Sequence, residues 1–114
     1  MGLKYRVYLQ QERGKKIYGC LNCQSHLALD DMIVSKEFNG FGGPTYLFQK
    51  VVNIDEACKQ EERIMTTGTH TIATISCTRC LTCLGWKYVK ANGIGQKHKE
   101  GKYILEKTLL KIMQ

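Results

Sequence analysis

The sequence predicts an all-β domain built from antiparallel strands. Hydrophobic and polar residues mostly alternate with a period of two, and β-branched and aromatic residues gather in short runs. Glycine-rich or polar turns separate these runs. The chain has 114 residues, of which 43% are hydrophobic and 24% charged. It is therefore expected to form one domain over residues 1–114, with its core over about residues 16–112.

Strands are predicted in order along the chain, with loops between them. The expected strands cover residues 3–9, 16–20, 27–38, 45–54, 63–77 (two strands around a turn at Gly68), 84–89 and 102–112. The expected loops cover residues 39–43, 55–62 and 90–101, which are rich in glycine or charge. A short helix is the alternative for residues 27–38 and for residues 102–112.

The formal net charge of +7 indicates an acidic partner, such as a nucleic acid or an acidic protein surface. The lysines are scattered, and only the stretch from Lys87 to Lys102 resembles a patch. Nucleic-acid binding through phosphate contacts of this run is therefore an alternative function. The sequence has no apolar run of about 18 residues, and its first residues lack the pattern of an export signal. Neither a membrane span nor export is expected.

Four of the six cysteines form two Cys-x-x-Cys pairs, Cys20 with Cys23 and Cys77 with Cys80. This spacing lets both sulfurs of a pair face one ion, and two pairs complete the tetrahedron that Zn²⁺ accepts. Four thiolates leave no position open for water, so one structural zinc is predicted. The long gap between Cys23 and Cys77 requires the two pairs to come from hairpins that are distant in sequence. The metal would then clamp two parts of the domain together.

Cys58 and Cys83 lie outside the two pairs. Cys83 is expected to be a buried small hydrophobe at the start of a strand, and Cys58 is expected to be a free thiol in an exposed loop. A thiol-dependent enzyme that uses Cys83 or Cys58, with His70 as the base, is a further alternative function. His26 follows the first pair closely and is expected to support it by hydrogen bonding rather than to bind the metal.

Several segments together resemble the yippee-like proteins: YGCLNCQSHLALDDMIVSKEF, GPTYLFQKVVNI, EERIMTTGTHTIATISCTRC, LGWKYVKA and KHKEGKYILEKTLL. The resemblance implies a β-tent, in which two antiparallel sheets meet at an angle and are pinned by zinc at Cys20, Cys23, Cys77 and Cys80. Related domains occur in Mis18 proteins and in cereblon. The scaffold is also similar to methionine sulfoxide reductase B, whose catalytic cysteine lies in a strand beyond the second zinc pair. No cysteine follows Cys83, so the sequence excludes that reductase activity.

Cereblon-type domains bind cyclic imides in a cage of three tryptophans, and the segment LGWKY resembles one wall of that cage. Trp86 is the only tryptophan in the chain, and Thr66 and Ile72 are expected at the positions of the other two. The resemblance therefore excludes a complete cage and implies a shallower ligand groove. Its expected lining residues are Trp86, Tyr88, His70 and Phe48. The alternative is that Trp86 lies in the core between the sheets.

The resemblance implies a non-enzymatic, zinc-stabilised protein-interaction module of the nucleus and cytoplasm. The expected partners are a ubiquitin-ligase scaffold of the CTLH/GID type or proteins of cell-division structures, such as chromatin- and centrosome-associated proteins. The groove near Trp86 would recognise a peptide or a small ligand.

Overall fold

The computed structural model describes Leu9 and residues 15–40 and 43–113, with only the backbone of Asn39 and Gly40. These residues form ten strands in two antiparallel sheets, as the sequence predicts. The strands are β1 (Ile17–Cys20), β2 (His26–Leu29), β3 (Ile33–Gly40), β4 (Gly43–Phe48), β5 (Ile54–Glu56), β6 (Glu61–Met65), β7 (Gly68–Cys77), β8 (Cys83–Ala91), β9 (Tyr103–Glu106) and β10 (Leu110–Met113). No helix in the described ranges is long and apolar enough to cross a membrane.

The smaller sheet has three strands in the order β10-β1-β2, and the larger has the order β3-β4-β9-β8-β7-β5. Strand β6 also pairs with β7. Because β7 is ten residues long, β5 and β6 share one of its edges, β5 near Cys77 and β6 near Gly68. The hairpin β6–β7 therefore extends to the end of the larger sheet that is remote from the cysteines.

Both connections between the sheets are single turns of 3₁₀ helix, Asp30–Met32 and Lys107–Leu109. The predictions of one uninterrupted strand over residues 27–38 and over residues 102–112 are therefore wrong. Each segment contributes one strand to the larger sheet and one to the smaller, and the polar turn between them redirects the chain. The helix alternative for these segments is also wrong beyond that single turn.

The predicted strand 45–54 is likewise divided, because β4 ends at Phe48 and β5 begins at Ile54, directly after Asn53 with its left-handed φ of 58°. The Asn53 side-chain amide donates to the His26 backbone carbonyl at 2.7 Å, and the Asn53 backbone carbonyl accepts from the Thr78 backbone N–H at 3.0 Å. The predicted loop 55–62 includes the end of β5 and the start of β6. The predicted strand 3–9 lies outside the described residues, apart from Leu9, which is not in a strand.

The hydrophobic residues form two clusters, one on each face of the larger sheet. The first fills the space between the sheets, with Tyr18, Leu27, Phe48, Ile75, Leu84 and Leu105 among its members. The second lies on the outer face and consists of Leu47, Ile72, Trp86, Tyr88 and Ile104, with Phe38 and Met65 packed against it. Side chains alternate across a strand, so the larger sheet has an apolar centre on both faces. The alternative prediction that Trp86 lies between the sheets is wrong.

Candidate functional site

The two cysteine pairs meet at the end of β1 and the end of β7. The Sγ atoms of Cys20 and Cys80 are 3.6 Å apart, and those of Cys23 and Cys77 are 3.4 Å apart. All four sulfurs lie within 4.8 Å of one another. A zinc ion bound tetrahedrally at about 2.3 Å from each sulfur would separate them by about 3.8 Å. The donor set and its spacing therefore fit one metal ion.

Both pairs sit in turns with the same backbone pattern. The N–H of the first cysteine donates to the carbonyl five residues on, Cys20 to Ser25 and Cys77 to Thr82, both at 2.9 Å. The carbonyl of the first cysteine accepts from the N–H four residues on, at Gln24 and Leu81. Gln24 and Leu81 both have φ of 65°, a left-handed conformation that non-glycine residues seldom adopt. The two turns therefore have the same backbone conformation, and each turn directs its two sulfurs toward the same point.

Hydroxyl groups next to the second cysteine of each pair contact its sulfur. Ser25 Oγ lies 3.3 Å from Cys23 Sγ, and Thr82 Oγ1 lies 3.1 Å from Cys80 Sγ. The ring of His26, expected to support the pair, accepts a hydrogen bond from the Leu9 backbone N–H at 3.0 Å. The two hydroxyls were not predicted, although CLNCQS and CTRCLT both place one two residues after the second cysteine.

The pKa values of the cysteines differ in the same way in both pairs, raised for the first cysteine and lowered for the second. Burial raises the pKa of Cys20 to about 12 and also raises the pKa of Cys77. Burial acts in the same direction on Cys80, but hydrogen bonds with the Thr82 and Asn22 side chains outweigh it and lower the pKa of Cys80 to about 6. The pKa of Cys23 is also lowered, since its bonds to the Ser25 hydroxyl and backbone outweigh burial. Metal binding requires thiolates, so it must displace the protons of the two buried thiols.

A second candidate site is a cavity of about 700 Å³ on the outer face of the larger sheet. We call it the outer-face cavity. Its lining residues come from β3, the β6–β7 hairpin, β8 and the loop before β9: Glu37, Phe38, Ile64, Met65, Thr66, Thr67, Trp86, Tyr88, Gln96, His98 and Lys99. The second hydrophobic cluster supplies its floor. A volume of this size is typical of small-molecule and peptide sites.

Two buried polar atoms in the wall of the cavity lack hydrogen-bond partners within the described residues, the Trp86 Nε1 donor and the Gln96 Oε1 acceptor. The Trp86 ring is 9% exposed and meets the Tyr88 ring edge-on at 6.1 Å. Burial raises the pKa of Tyr88. Buried polar groups are nearly always hydrogen-bonded, and the described residues supply no partner for either atom.

Close contacts hold the two walls of the cavity together. Gly68, at the hairpin tip, has φ of 125°, and a Cβ there would overlap the Asn92 carbonyl. Gly93 has φ of 147°, and a Cβ there would lie 2.5 Å from the Thr67 carbonyl oxygen. Glycine is required at both positions, for the positive φ and for the close approach. The Lys99 ammonium also donates to Thr67 Oγ1 at 3.2 Å. The loop before β9 and the tip of the β6–β7 hairpin, which form these two walls, are therefore in direct contact.

The structure brings together only part of the predicted groove. Trp86 and Tyr88 line the outer-face cavity, and so does Thr66, while Ile72 packs beside Trp86 in the floor. His70 is fully buried behind Tyr88, with ring centroids 5.3 Å apart, and its Nδ1 is 2.9 Å from the Gly68 carbonyl oxygen.

The prediction that Phe48 lines the groove is wrong, because its side chain packs against Tyr18 between the two sheets. Leu47, its neighbour in sequence, faces the outer side instead. The segment TYLF is hydrophobic on both faces of β4, so the sequence does not indicate which of its side chains face the outer side.

The two remaining cysteines are both exposed, Cys58 in the loop between β5 and β6 and Cys83 at the start of β8. The prediction that Cys83 is buried is therefore wrong. Cys83 pairs across the sheet with Ser76, whereas His70 pairs with Ala91. Ser76 and His70 are six positions apart along β7, a distance of about 20 Å. His70 thus cannot act as a base for Cys83.

The basic run does not form one surface. Lys87 pairs with Glu56 at 3.2 Å and lies over the Tyr103 ring, on the face of β8 opposite to Trp86 and Tyr88. Lys97 pairs with Glu100 at 3.4 Å. Lys99 is buried in the outer-face cavity. Lys87, Lys97 and Lys99 therefore do not share one basic surface.

The family model described as "Yippee zinc-binding/DNA-binding /Mis18, centromere assembly" matches residues 16–114. The chain belongs to the yippee/Mis18 family. It is 47% identical over 103 residues to human protein yippee-like 4, covering 90% of this chain and 78% of the relative. It is 50% identical over 90 residues to human protein yippee-like 3, covering 78% and 74%.

A yippee-like protein of Arabidopsis thaliana is 46% identical over 100 residues, covering 88% of this chain and 93% of the relative. Among solved structures, the crystal structure of the Mis18 yippee-like domain matches with a TM-score of 0.68 and 16% identity, covering 88% of this chain and 96% of that one. At this identity the match shows the fold, and it confirms the yippee-type arrangement of two sheets.

Proposed function

We propose that this yippee-family protein is a non-enzymatic binding module that takes a short peptide segment of a partner protein into the outer-face cavity. The observation that carries the proposal is the pairing of an apolar floor with one unpartnered donor, Trp86 Nε1, and one unpartnered acceptor, Gln96 Oε1. A peptide group offers the complementary acceptor and donor. An exposed apolar side chain at the rim, Ile64 at 91% exposure, adds contact area for a partner.

We propose that the ion held by Cys20, Cys23, Cys77 and Cys80 is one structural Zn²⁺. The sulfur-only donor set and its spacing support zinc, as does the zinc-binding description of the matching family. Four protein ligands leave no position for a reacting water, which supports a structural role. The separation of His70 from Cys83 supports the proposal that no thiol catalysis occurs there.

The partner is proposed to be a component of cell-division structures or a ubiquitin-ligase scaffold of the CTLH/GID type, met in the nucleus or the cytoplasm. The description of the matching family, which names centromere assembly, supports the first of these. The resemblance of most of the chain to yippee-like proteins supports the second.

The peptide proposal is tested by displaying random peptides on phage and selecting binders on the zinc-loaded protein. We expect selected peptides to lose affinity about tenfold for Trp86→Phe, which keeps the apolar ring and removes the N–H, because one buried hydrogen bond is lost. Ile64→Ser at the rim should also weaken binding. The matched control is Ile112→Ser on β10 of the smaller sheet, where Ile112 is exposed.

Calorimetric titration of each variant separates the outcomes. Equal affinity of the selected peptides for wild type, Trp86→Phe and Ile64→Ser would show that they bind elsewhere. Failure to select any peptide would contradict the proposed function.

Nucleic-acid binding is the second candidate function, favoured by the net charge of +7 and by the DNA-binding description of the family. A salt titration against generic single-stranded and duplex DNA tests it. If several lysines contact phosphates, the affinity should fall steeply as salt rises. For duplex DNA, the logarithm of the association constant should fall with the logarithm of the salt concentration with a slope near −0.9 per phosphate contact. Affinity at physiological salt no better than that of an unrelated protein of equal charge would exclude this function.

A further inference from the structure

We propose that Lys99 forms an anion-recognising subsite within the outer-face cavity, so that the peptide it takes carries a carboxylate next to an apolar side chain. The inference rests on the proposed function and names its ligand more closely. Lys99 lies in a short 3₁₀ turn, Lys97–Lys99, in the loop before β9, and it is 6% exposed. Lysine is seldom so buried unless its charge is paired.

The Lys99 ammonium has three partners within the described residues, and none of them is an acid. It donates to Thr67 Oγ1 at 3.2 Å, and it lies 5.2 Å from the Phe38 ring centroid and 5.5 Å from that of Tyr88. Ring faces and a hydroxyl stabilise a cation only in part. Burial lowers the pKa of Lys99, which is the direction expected of an ammonium without a counter-ion.

The nearby carboxylates do not neutralise Lys99. Glu100, its neighbour in sequence, accepts from the Ala91 backbone N–H at 3.0 Å and pairs with Lys97 at 3.4 Å. Glu37 lines the same cavity from β3 but forms no ion pair with Lys99 among the described residues. His98, also in the lining, has its Nδ1 2.9 Å from the Gly95 carbonyl oxygen. The charge of Lys99 is thus available to a ligand.

The surroundings of Lys99 favour a peptide carboxylate over a nucleic-acid backbone. Phosphodiester recognition uses several cations spaced along a strand, whereas this cavity buries one ammonium beside an apolar floor. A carboxylate on Lys99 would leave an adjacent apolar side chain within reach of Trp86 and Met65. Both an acidic side chain and a chain-terminal carboxyl group offer this chemistry.

The single tryptophan provides the test, because its indole N–H gives one side-chain signal in a ¹⁵N–¹H spectrum. The zinc-loaded protein is titrated to millimolar concentration with four probes. N-acetyl-phenylalanyl-glutamate amide is compared with its glutamine analogue, and N-acetyl-glycyl-phenylalanine is compared with its amide. We expect at least one acid to bind about tenfold more tightly than its neutral counterpart, as for a charge-assisted hydrogen bond. The pair that shows the difference identifies the source of the carboxylate.

Substitutions then assign the preference to Lys99. Lys99→Met, which keeps the apolar stem, should abolish the preference for acid, and Lys99→Arg, which keeps the positive charge, should retain much of it. Lys97→Met removes the same charge from the same turn and should leave the preference unchanged. Glu37→Gln should raise affinity for the acid, since it removes a like charge from the cavity.

The outcomes separate this inference from the proposed function. Equal binding of acids and amides at the Trp86 signal would overturn the Lys99 subsite and leave peptide binding intact. No shift with any of the four probes would overturn the subsite, while peptides selected by phage display still decide peptide binding. An indole signal that moves with protein concentration alone would show a second copy in the cavity. Oligothymidylate is added in a separate titration, and an indole signal that moves only in that titration would show a nucleic-acid site. Either result would also overturn the inference.

Discussion

Cys23 Sγ lies 3.4 Å from Cys77 Sγ although the two residues are 54 positions apart in the chain. Cys23 belongs to the turn between β1 and β2 of the smaller sheet, and Cys77 ends β7 of the larger one. A metal ion at this point would therefore cross-link the two sheets. Structural zinc contributes on the order of 10 kcal/mol in small domains, which is comparable to the whole stability of a domain of this size.

Cys77→Ser should yield an unfolded or aggregating protein with less than one zinc per chain. Three remaining thiolates bind zinc weakly, and the sheets would then lack their cross-link. Metal content by atomic absorption and secondary structure by circular dichroism measure the effect, with Cys58→Ser at an exposed thiol as the control. A folded, metal-free Cys77→Ser protein with the stability of wild type would contradict the structural role of the metal.

Thr82→Ala should weaken zinc affinity about tenfold, within the range seen when groups that contact metal ligands are removed. The variant loses the hydroxyl that lies 3.1 Å from Cys80 Sγ, and Ser25→Ala should act similarly at Cys23. Competition with a chromogenic chelator measures the affinity. Thr108→Ala, at an exposed position, should change nothing. Equal affinity of all the variants would show that the hydroxyls do not tune the site.

Leu81→Gly should increase the free energy of unfolding of the zinc-loaded protein by about 0.5–1 kcal/mol. Leu81 has φ of 65° and is mostly exposed, so glycine relieves backbone strain and loses little packing. Leu21→Gly is the comparison, because Leu21 is exposed in the equivalent turn without a positive φ, and it should reduce stability. Urea denaturation of both variants gives the difference. A destabilised Leu81→Gly protein would refute the strain argument.

Gly85→Ala should reduce the free energy of unfolding by about 2–3 kcal/mol, in the range of overpacked cores. A Cβ at Gly85 would overlap the backbone carbonyl of Ile104 on β9, and rigid backbone cannot yield as a side chain can. Gly95→Ala should cost less, about 1 kcal/mol, because Gly95 has a positive φ but no atom within 4 Å of its added Cβ. Thermal unfolding of both variants measures the two losses of stability. A larger loss for Gly95→Ala than for Gly85→Ala would contradict the close approach of β8 to β9 at Gly85.

The class of fold and the cysteine cluster were predictable because both depend on local patterns. Alternation with a period of two indicated the strands, and the x-x spacing within each cysteine pair indicated a metal-binding turn. The breaks between the sheets were not predictable in this way. Residues 27–38 and 102–112 are hydrophobic enough for one long strand, and only the pairing of each half with a different sheet shows the 3₁₀ turns.

The outer-face cavity was predicted only in part, because its residues come from four distant segments. Trp86 and Tyr88 were predicted to line it because LGWKY resembles one wall of the cereblon-type tryptophan cage. Lys99 could not be distinguished from the other lysines of the run from Lys87 to Lys102, since nothing in KHKEGK shows which lysine folds inward. Its burial depends on contacts with Phe38 and Thr67, which lie far away in sequence and close in the folded domain.

The most direct test of peptide binding at Trp86 is a ¹⁵N–¹H titration of the zinc-loaded protein with a phage-selected peptide. We predict that the single indole N–H signal and the amides of β8 and of the β6–β7 hairpin tip shift together and saturate at one peptide per chain. The result that would contradict the account is a saturable binding event whose largest shifts lie in the three-stranded sheet, with the indole signal unmoved.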